Sequence, residues 1–197
     1  SSTLTAAIRK IGLEDGDIWA KGAAKVPGEL HDSFSLDEYK GCLRLVTTEW
    51  DYERGTQMNH LFVLDKELKV IGQIEDIAPG ETVRSVRFCQ DIGYFVTFRN
   101  VDPLFTVDLS APSSPEIVGE LKVTGFSSYL HPYQEGLLLG IGQEADENSG
   151  AAEGYKLSMF DISDPAETAE AHKELLGAGY VPGATDYKAV LADGNRN

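Results

Sequence analysis

The sequence has little positive charge and no long apolar segment, and both features exclude certain classes of function. Only 17 of its 197 residues are Lys or Arg, against 32 Asp or Glu, which gives a net charge of −15. Because nucleic-acid binding depends largely on a basic face, this charge argues against DNA or RNA as a ligand. It also disfavours an anionic membrane surface. No stretch approaches the roughly 20 apolar residues of a membrane-spanning helix, so the chain is not expected to cross a bilayer.

Cysteine and catalytic motifs are also scarce. Cys42 and Cys89 are the only cysteines, and neither has a Cys-x-x-Cys neighbour that would indicate a metal or redox site. Buried free thiols are the favoured interpretation, and a disulfide between them stays open. The nucleophile motif Gly-x-Ser-x-Gly is absent, as is a glycine-rich phosphate loop. The chain starts at Ser1 without a signal-peptide apolar region, so we expect a part cut from a longer protein.

One apolar phrase that ends in aspartate occurs three times. It comprises residues 61–65 (Leu-Phe-Val-Leu-Asp), 104–108 (Leu-Phe-Thr-Val-Asp) and 157–161 (Leu-Ser-Met-Phe-Asp). Each copy is followed by turn-forming residues and a second apolar run, which predicts strand, turn, strand. A period of roughly 40–50 residues made of such units is typical of a β-propeller blade. The recurring aspartates are expected to accept backbone N–H bonds in the following turn, in preference to forming a ring of carboxylates.

Local patterns predict an all-β chain without a helix longer than two turns. Residues 4–12 are compatible with a short helix or a strand. Residues 33–39 are expected to begin a helical turn, with Ser35 as its cap and Glu38 completing a capping box. Residues 144–153 are expected to form a mobile acidic hairpin tip, and residues 188–191 a last strand.

A wider set of motifs, spread from about Ile8 to Leu191, carries a family resemblance. The motifs include residues 34–39 (Phe-Ser-Leu-Asp-Glu-Tyr), 101–110 (Val-Asp-Pro-Leu-Phe-Thr-Val-Asp-Leu-Ser), 129–133 (Tyr-Leu-His-Pro-Tyr) and 160–165 (Phe-Asp-Ile-Ser-Asp-Pro). Together they resemble secreted bacterial proteins with a C-terminal β-propeller domain, distantly related to WD repeats. Residues 186–190 (Asp-Tyr-Lys-Ala-Val) depart from that family's Asp-His-Lys-Ala-Phe-like strand, so any role of a histidine there is lost.

The resemblance implies a partial β-propeller of about four blades, the C-terminal part of a larger one, and secretion or surface attachment. We expect residues 1–197 to form one propeller fragment, with an incomplete first blade at 1–26 and a flexible tail at 193–197. Because such a fragment would expose apolar blade faces, we expect either a compact arrangement of a few blades or self-association that covers these faces.

The predicted function is an extracytoplasmic binding or scaffold module, without assigned catalytic residues, that recognises proteins or cell-envelope glycans through blade-end loops. The candidate ligand contacts are Trp50, Tyr52, Tyr129, His131, Tyr133 and Tyr180. His131 is either a metal or ligand contact at the propeller axis or, as favoured, a structural histidine that bonds backbone between blades. The alternative function is a hydrolase or lyase with a cation site at that axis.

Calcium is the one cofactor that the sequence brings into consideration. Residues 146–150 (Asp-Glu-Asn-Ser-Gly) faintly resemble a calcium loop, but they lack the third oxygen ligand and the distal Glu. His31, Asp32, Asp37 and Glu38 offer oxygen ligands near one another in sequence. Solvated loops are the favoured interpretation of both segments, so no metal site is assigned.

Overall fold

The structure, a computed structural model, describes residues 4–98, 102–146, 149 and 151–194. Within these ranges the regular elements are fourteen β-strands and three 3₁₀ turns, so the all-β prediction is confirmed. The strands form one two-stranded and three four-stranded antiparallel sheets, each made of consecutive strands. The chain divides into two compact units, of which the first runs to Gly80 and includes Ala111–Pro115, while the second comprises Glu81–Ser110 and the chain from Glu116 onward.

The first unit contains six strands in two sheets. They are β1 (Thr5–Glu14), β2 (Asp17–Pro27), β3 (Leu36–Tyr39), β4 (Cys42–Asp51), β5 (Thr56–Leu64) and β6 (Val70–Ile77). Strands β1 and β2 pair with each other, and β3 to β6 form a four-stranded sheet in chain order. Its core contains buried Val26, Leu45, Phe62 and Leu64, which lie on strands rich in β-branched and aromatic residues.

The second unit contains eight strands in two four-stranded sheets. They are β7 (Thr82–Cys89), β8 (Ile92–Phe98), β9 (Asp102–Asp108), β10 (Glu116–Val123), β11 (Phe126–Gln134), β12 (Leu137–Ala145), β13 (Ala152–Asp161) and β14 (Ala169–Gly177). Buried side chains from both sheets form one core cluster, which comprises Tyr94, Val96, Leu104, Val123, Leu130, Leu138 and Phe160.

The recurring aspartate has the turn role that the sequence predicts. Asp65 accepts hydrogen bonds from the amides of Glu67 and Lys69, at 3.0 and 2.9 Å. Asp108 accepts one from the Ser110 amide at 2.7 Å. Asp161 accepts one from the Ser163 amide at 3.0 Å and one from its hydroxyl at 2.6 Å. Each aspartate therefore fixes the turn between the third and fourth strands of its sheet.

The hydrogen bonds of these turns also lower the carboxyl pKa values. The Ser110 amide, and then its hydroxyl, hold the pKa of Asp108 below its ordinary value. The hydroxyl and amide of Ser163 do the same for Asp161. These donors stabilise the ionised carboxylate, so both turns are built around a charged aspartate.

Two local predictions are wrong. The 3₁₀ turn Ser33–Ser35 is capped by Asp32, whose carboxylate accepts from the amides of Phe34 and Ser35, so Ser35 is the third residue of the turn rather than its cap. The predicted last strand at 188–191 is instead the 3₁₀ turn Tyr187–Ala189 followed by irregular chain. There the Asp186 carboxylate accepts from the Lys188 amide and selects a helical turn.

The remaining local predictions have mixed outcomes. Residues 4–12, left open between helix and strand, lie mostly in β1. The acidic hairpin tip and the tail lie partly outside the described residues. That residues 1–197 form one propeller fragment stays a prediction.

Candidate functional site

Three of the candidate residues lie on β11, and the first of them is structural. Tyr129 is only 9% exposed. The Arg87 guanidinium lies over its ring at 5.2 Å, and the Tyr187 ring stacks on it at 6.3 Å between centroids. Its hydroxyl is 3.0 Å from Nδ1 of His131. Tyr129 therefore holds the C-terminal 3₁₀ turn and His131 in place.

Side-chain bonds to backbone connect the two sheets of the second unit. The Ser85 hydroxyl donates to the Ser127 carbonyl at 2.6 Å, and Nε of Arg87 donates to the Leu130 carbonyl at 2.8 Å. Arg87 thus performs the bonding between sheets that the sequence reasoning assigned to His131. The hydrogen-bond partner found for His131 is the Tyr129 hydroxyl.

Tyr133 lines a cavity of about 660 Å³ in the second unit. The cavity opens where the β7–β8 and β11–β12 hairpins turn, and Ile162 closes one side. Its other lining residues include Cys89, Gln90, Tyr94, Gln134 and Glu135. Small-molecule sites have volumes in the range of roughly 300–1,000 Å³, so this cavity is large enough for a ligand.

The cavity combines apolar surface with a few polar groups. Tyr94 is buried, and burial, with a smaller contribution from Cys89, raises its pKa to about 12. Its hydroxyl is therefore protonated near neutral pH and able to donate. Gln90, Gln134 and Glu135 are exposed at the mouth, and Gln134 also donates to the Gly194 carbonyl. Aromatic faces beside amides and a carboxylate suit a ligand with both an apolar face and hydroxyl groups.

The other aromatic candidates, Trp50, Tyr52 and Tyr180, are exposed and are not among the residues that line this cavity. Trp50 and Tyr52 lie in the first unit, at the turn between β4 and β5, and are 47% and 69% exposed. Tyr180 follows β14 in the second unit and is 75% exposed. Exposed aromatic side chains of this kind are frequent anchors of protein interfaces.

Three of the carboxylates considered for a cation accept hydrogen bonds from within the chain. Asp32 caps a 3₁₀ turn, and Asp37 accepts two bonds from the Arg44 guanidinium, at 2.7 and 2.6 Å. Asp146 accepts from the amide and hydroxyl of Ser149, while Glu147, Asn148 and Gly150 lie outside the described residues. Across the described ranges, no group of three or more His, Cys, Asp or Glu side chains could hold a metal ion. Cys42 and Cys89 do not form a disulfide, and both are half-buried rather than buried.

The sequence reasoning missed a charged network inside the last sheet. Lys156 is fully buried, donates from Nζ to the Thr124 carbonyl and lies 4.0 Å from a Glu170 carboxylate oxygen. Glu144 is 4% exposed and accepts from Lys173 at 2.6 Å. A signal was present, because Lys156 shares the period-two face of Phe160 on β13 and should point into the core.

A second missed feature is the contact between buried His60 and Glu49 in the first unit. Nε2 of His60 is 3.1 Å from the Glu49 carboxylate, while Nδ1 of the same ring accepts from the Asp76 amide at 3.4 Å. The contact with the Asp76 amide ties this histidine to the end of β6.

Among the described residues, no helix has the length and apolar character to span a bilayer.

Comparison with known proteins gives a family match and two similar proteins. The family described as beta propeller domain matches residues 1–197. An uncharacterized protein of Archaeoglobus fulgidus is 44% identical over 175 residues, which cover 88% of this chain and 26% of that protein. An uncharacterized protein of Methanocaldococcus jannaschii is 38% identical over 187 residues, which cover 94% and 29%. The chain thus spans less than a third of the length of these relatives.

One solved structure aligns with part of the chain. The acylaminoacyl peptidase of Pyrococcus horikoshii aligns with 72% of this chain and 25% of its own, at 15% identity and a TM-score of 0.48. The two relatives above are archaeal, so they do not support the bacterial source that the sequence resemblance implied.

Proposed function

The chain belongs to the β-propeller domain family, and from that membership we propose that it is an extracytoplasmic binding module that holds a glycan of the cell envelope in the cavity beside Tyr133. Family membership supports a binding or scaffold role in general. The cavity supports the finer proposal, because Tyr133, Gln90, Gln134 and Glu135 offer a ring face, amides and a carboxylate together. Sugar rings have one apolar face and many hydroxyl groups, which match this lining.

Protein ligands are the second candidate, because Trp50 and Tyr52 are exposed together at one turn. Self-association through exposed sheet faces stays a proposal, which sedimentation velocity would test. The extracytoplasmic location rests on the resemblance to secreted proteins. Protease accessibility on intact cells that produce the longer protein would test it, and complete protection would contradict it.

The decisive experiment titrates the chain with neutral and N-acetylated oligosaccharides and follows backbone amide shifts. We expect shifts at residues lining the cavity, and we expect Tyr133→Ala to weaken binding by about tenfold through loss of ring stacking. Tyr180→Ala is the matched control, since Tyr180 is an exposed tyrosine of the same unit, and it should bind like the unchanged chain. Equal binding by the Tyr133 variant would reject the cavity as the site. Shifts confined to residues near Trp50 and Tyr52 on adding a protein extract, without any response to sugars, would favour the protein ligand.

A further inference from the structure

The last strand of every sheet has the same irregularity. The pairing registers of β2, β6, β10 and β14 each contain a skipped residue at a comparable place, namely Lys21, Ile71, Val118 and Ala171. The residue after the skipped one pairs with an equivalent residue of the neighbouring strand. In the three four-stranded sheets, this partner lies two positions before the repeat aspartate. We call the residue after the skipped one the socket position. The socket residues, each with its partner, are Gly22 (Lys10), Gly72 (Val63), Gly119 (Thr106) and His172 (Met159).

Each socket glycine is approached by the third-to-fourth-strand turn of the next sheet along the chain. A Cβ at Gly119 would stand 2.7 Å from the Pro165 carbonyl oxygen, and one at Gly72 would collide with the Pro112 carbonyl oxygen. Pro112 and Pro165 each lie four residues after the repeat aspartate. At Gly22 the shorter β5–β6 turn supplies the Leu68 side chain instead, at an ordinary 3.4 Å. In each case the glycine and the residue that contacts it belong to the same unit.

Lack of space, and not backbone conformation, explains the glycines at positions 72 and 119. None of the three has a φ in the left-handed region, so an L side chain would meet no strain from its own backbone. The obstacle is a carbonyl oxygen held by an aspartate-anchored turn, which cannot swing aside as a flexible side chain could. Next to Gly119 the hydroxyls of Thr106 and Thr168 are also hydrogen-bonded at 3.1 Å, which fixes the turn over the socket.

We propose that the socket glycine is the recognition element by which one repeat receives the turn of the next, and that β14 is not built to receive such a turn. At β14 the socket residue is His172, whose imidazole would occupy the space of the incoming carbonyl. His172 is exposed, as are its neighbours on both sides along β14. The contact between glycine and carbonyl that is present at Gly72 and Gly119 is therefore not expected at His172.

The first test compares valine at two socket positions of the same unit. Gly119→Val and His172→Val place the same side chain after the same bulge, but only the first meets a turn. We expect Gly119→Val to raise the equilibrium constant for opening of β10 and the β13–β14 turn at least tenfold, measured by hydrogen exchange, and His172→Val to change it less than twofold. Equal effects would show that the bulge itself disfavours valine and would overturn the proposal. Gly119→Ala serves the same comparison if the valine variant does not fold.

The second test removes the turn. Replacing residues 162–168 by the four-residue turn Lys-Glu-Leu-Lys, which follows Asp65, takes away the Pro165 carbonyl. In this shortened chain we expect Gly119→Val to raise the equilibrium constant for opening of β10 much less than it does in the unchanged chain. A double-mutant cycle would measure the difference. A penalty that is unchanged would mean that the turn is not the partner of the socket.

Discussion

At the scale of single residues, the buried charges of the last sheet have the clearest energetic consequence. Burial opposes ionisation of Glu144, but the hydrogen bonds from Lys173 and Thr124 and the charge of Lys156 outweigh it, and the net pKa is lowered. The same Glu144 contact raises the pKa of Lys173. Both shifts favour the charged pair, so the folded state binds fewer protons at Glu144 than the unfolded state does.

The pH dependence of stability follows from these directions. A carboxyl whose folded pKa lies below its unfolded value of 4.5 stabilises the fold above that value and loses this contribution as the pH falls through the folded pKa. We expect Glu144→Gln to lower the free energy of unfolding by about 1–2 kcal/mol at pH 7. The difference from the unchanged chain should shrink below pH 4, as urea titrations at several pH values would show. A difference that is constant from pH 7 to pH 3 would contradict this account.

Single residues also show which contacts can be predicted from the sequence and which cannot. The turn role of Asp65, Asp108 and Asp161 was predictable because an aspartate and the amides that follow it are neighbours in sequence. The pairing of Arg87 with the Leu130 carbonyl was not, because it depends on which strands two sheets place side by side. The cavity beside Tyr133 was missed for the same reason: its lining comes from hairpins more than 40 residues apart.

At the scale of elements, the strands were predictable and the ends of elements were not. Alternation and repeated phrases indicate strands because a strand's side chains alternate faces. Residues 188–191 also read as a strand, yet they pair with no strand and follow a 3₁₀ turn in which Asp186 supplies the cap. The chain just before these residues packs on β11, where the Ser128 hydroxyl donates to the carbonyl of Ala184, in the 3₁₀ turn Pro182–Ala184, at 2.6 Å.

The attachment of this C-terminal segment depends on ring stacking. We expect Tyr187→Ala, which removes the contact with Tyr129, to speed amide exchange at Ala184 and Ala189 about threefold to tenfold, since such a ring pair contributes roughly 0.5–1.5 kcal/mol. Tyr180→Ala is the matched control and should leave these amides unchanged. If both variants accelerate exchange equally, the stacking is not what holds the segment.

At the scale of the whole molecule, each of the two units has its own buried cluster. Val26, Leu45, Phe62 and Leu64 belong to the first, whereas the second is built around Tyr94, Leu138 and Phe160. Both tryptophans of the chain, Trp19 and Trp50, lie in the first unit. Tryptophan fluorescence is therefore a probe of the first unit alone.

This placement gives a test of cooperativity. We expect urea unfolding followed by tryptophan fluorescence to differ in midpoint from unfolding followed by far-UV circular dichroism, which reports both units. Trp50→Phe, which leaves Trp19 as the reporter, should give the same fluorescence midpoint as long as stability is unchanged. Coincident curves from the two probes would show that the chain unfolds as one cooperative body.

The socket and the proline-bearing turn belong to the same repeat, one on its fourth strand and the other just before it. A gene segment that copies one repeat therefore carries both halves of the contact, and the copy fits its parent without a compensating mutation. Tandem duplication of such a repeat therefore requires no compensating change elsewhere, provided that the copy keeps glycine at the socket position.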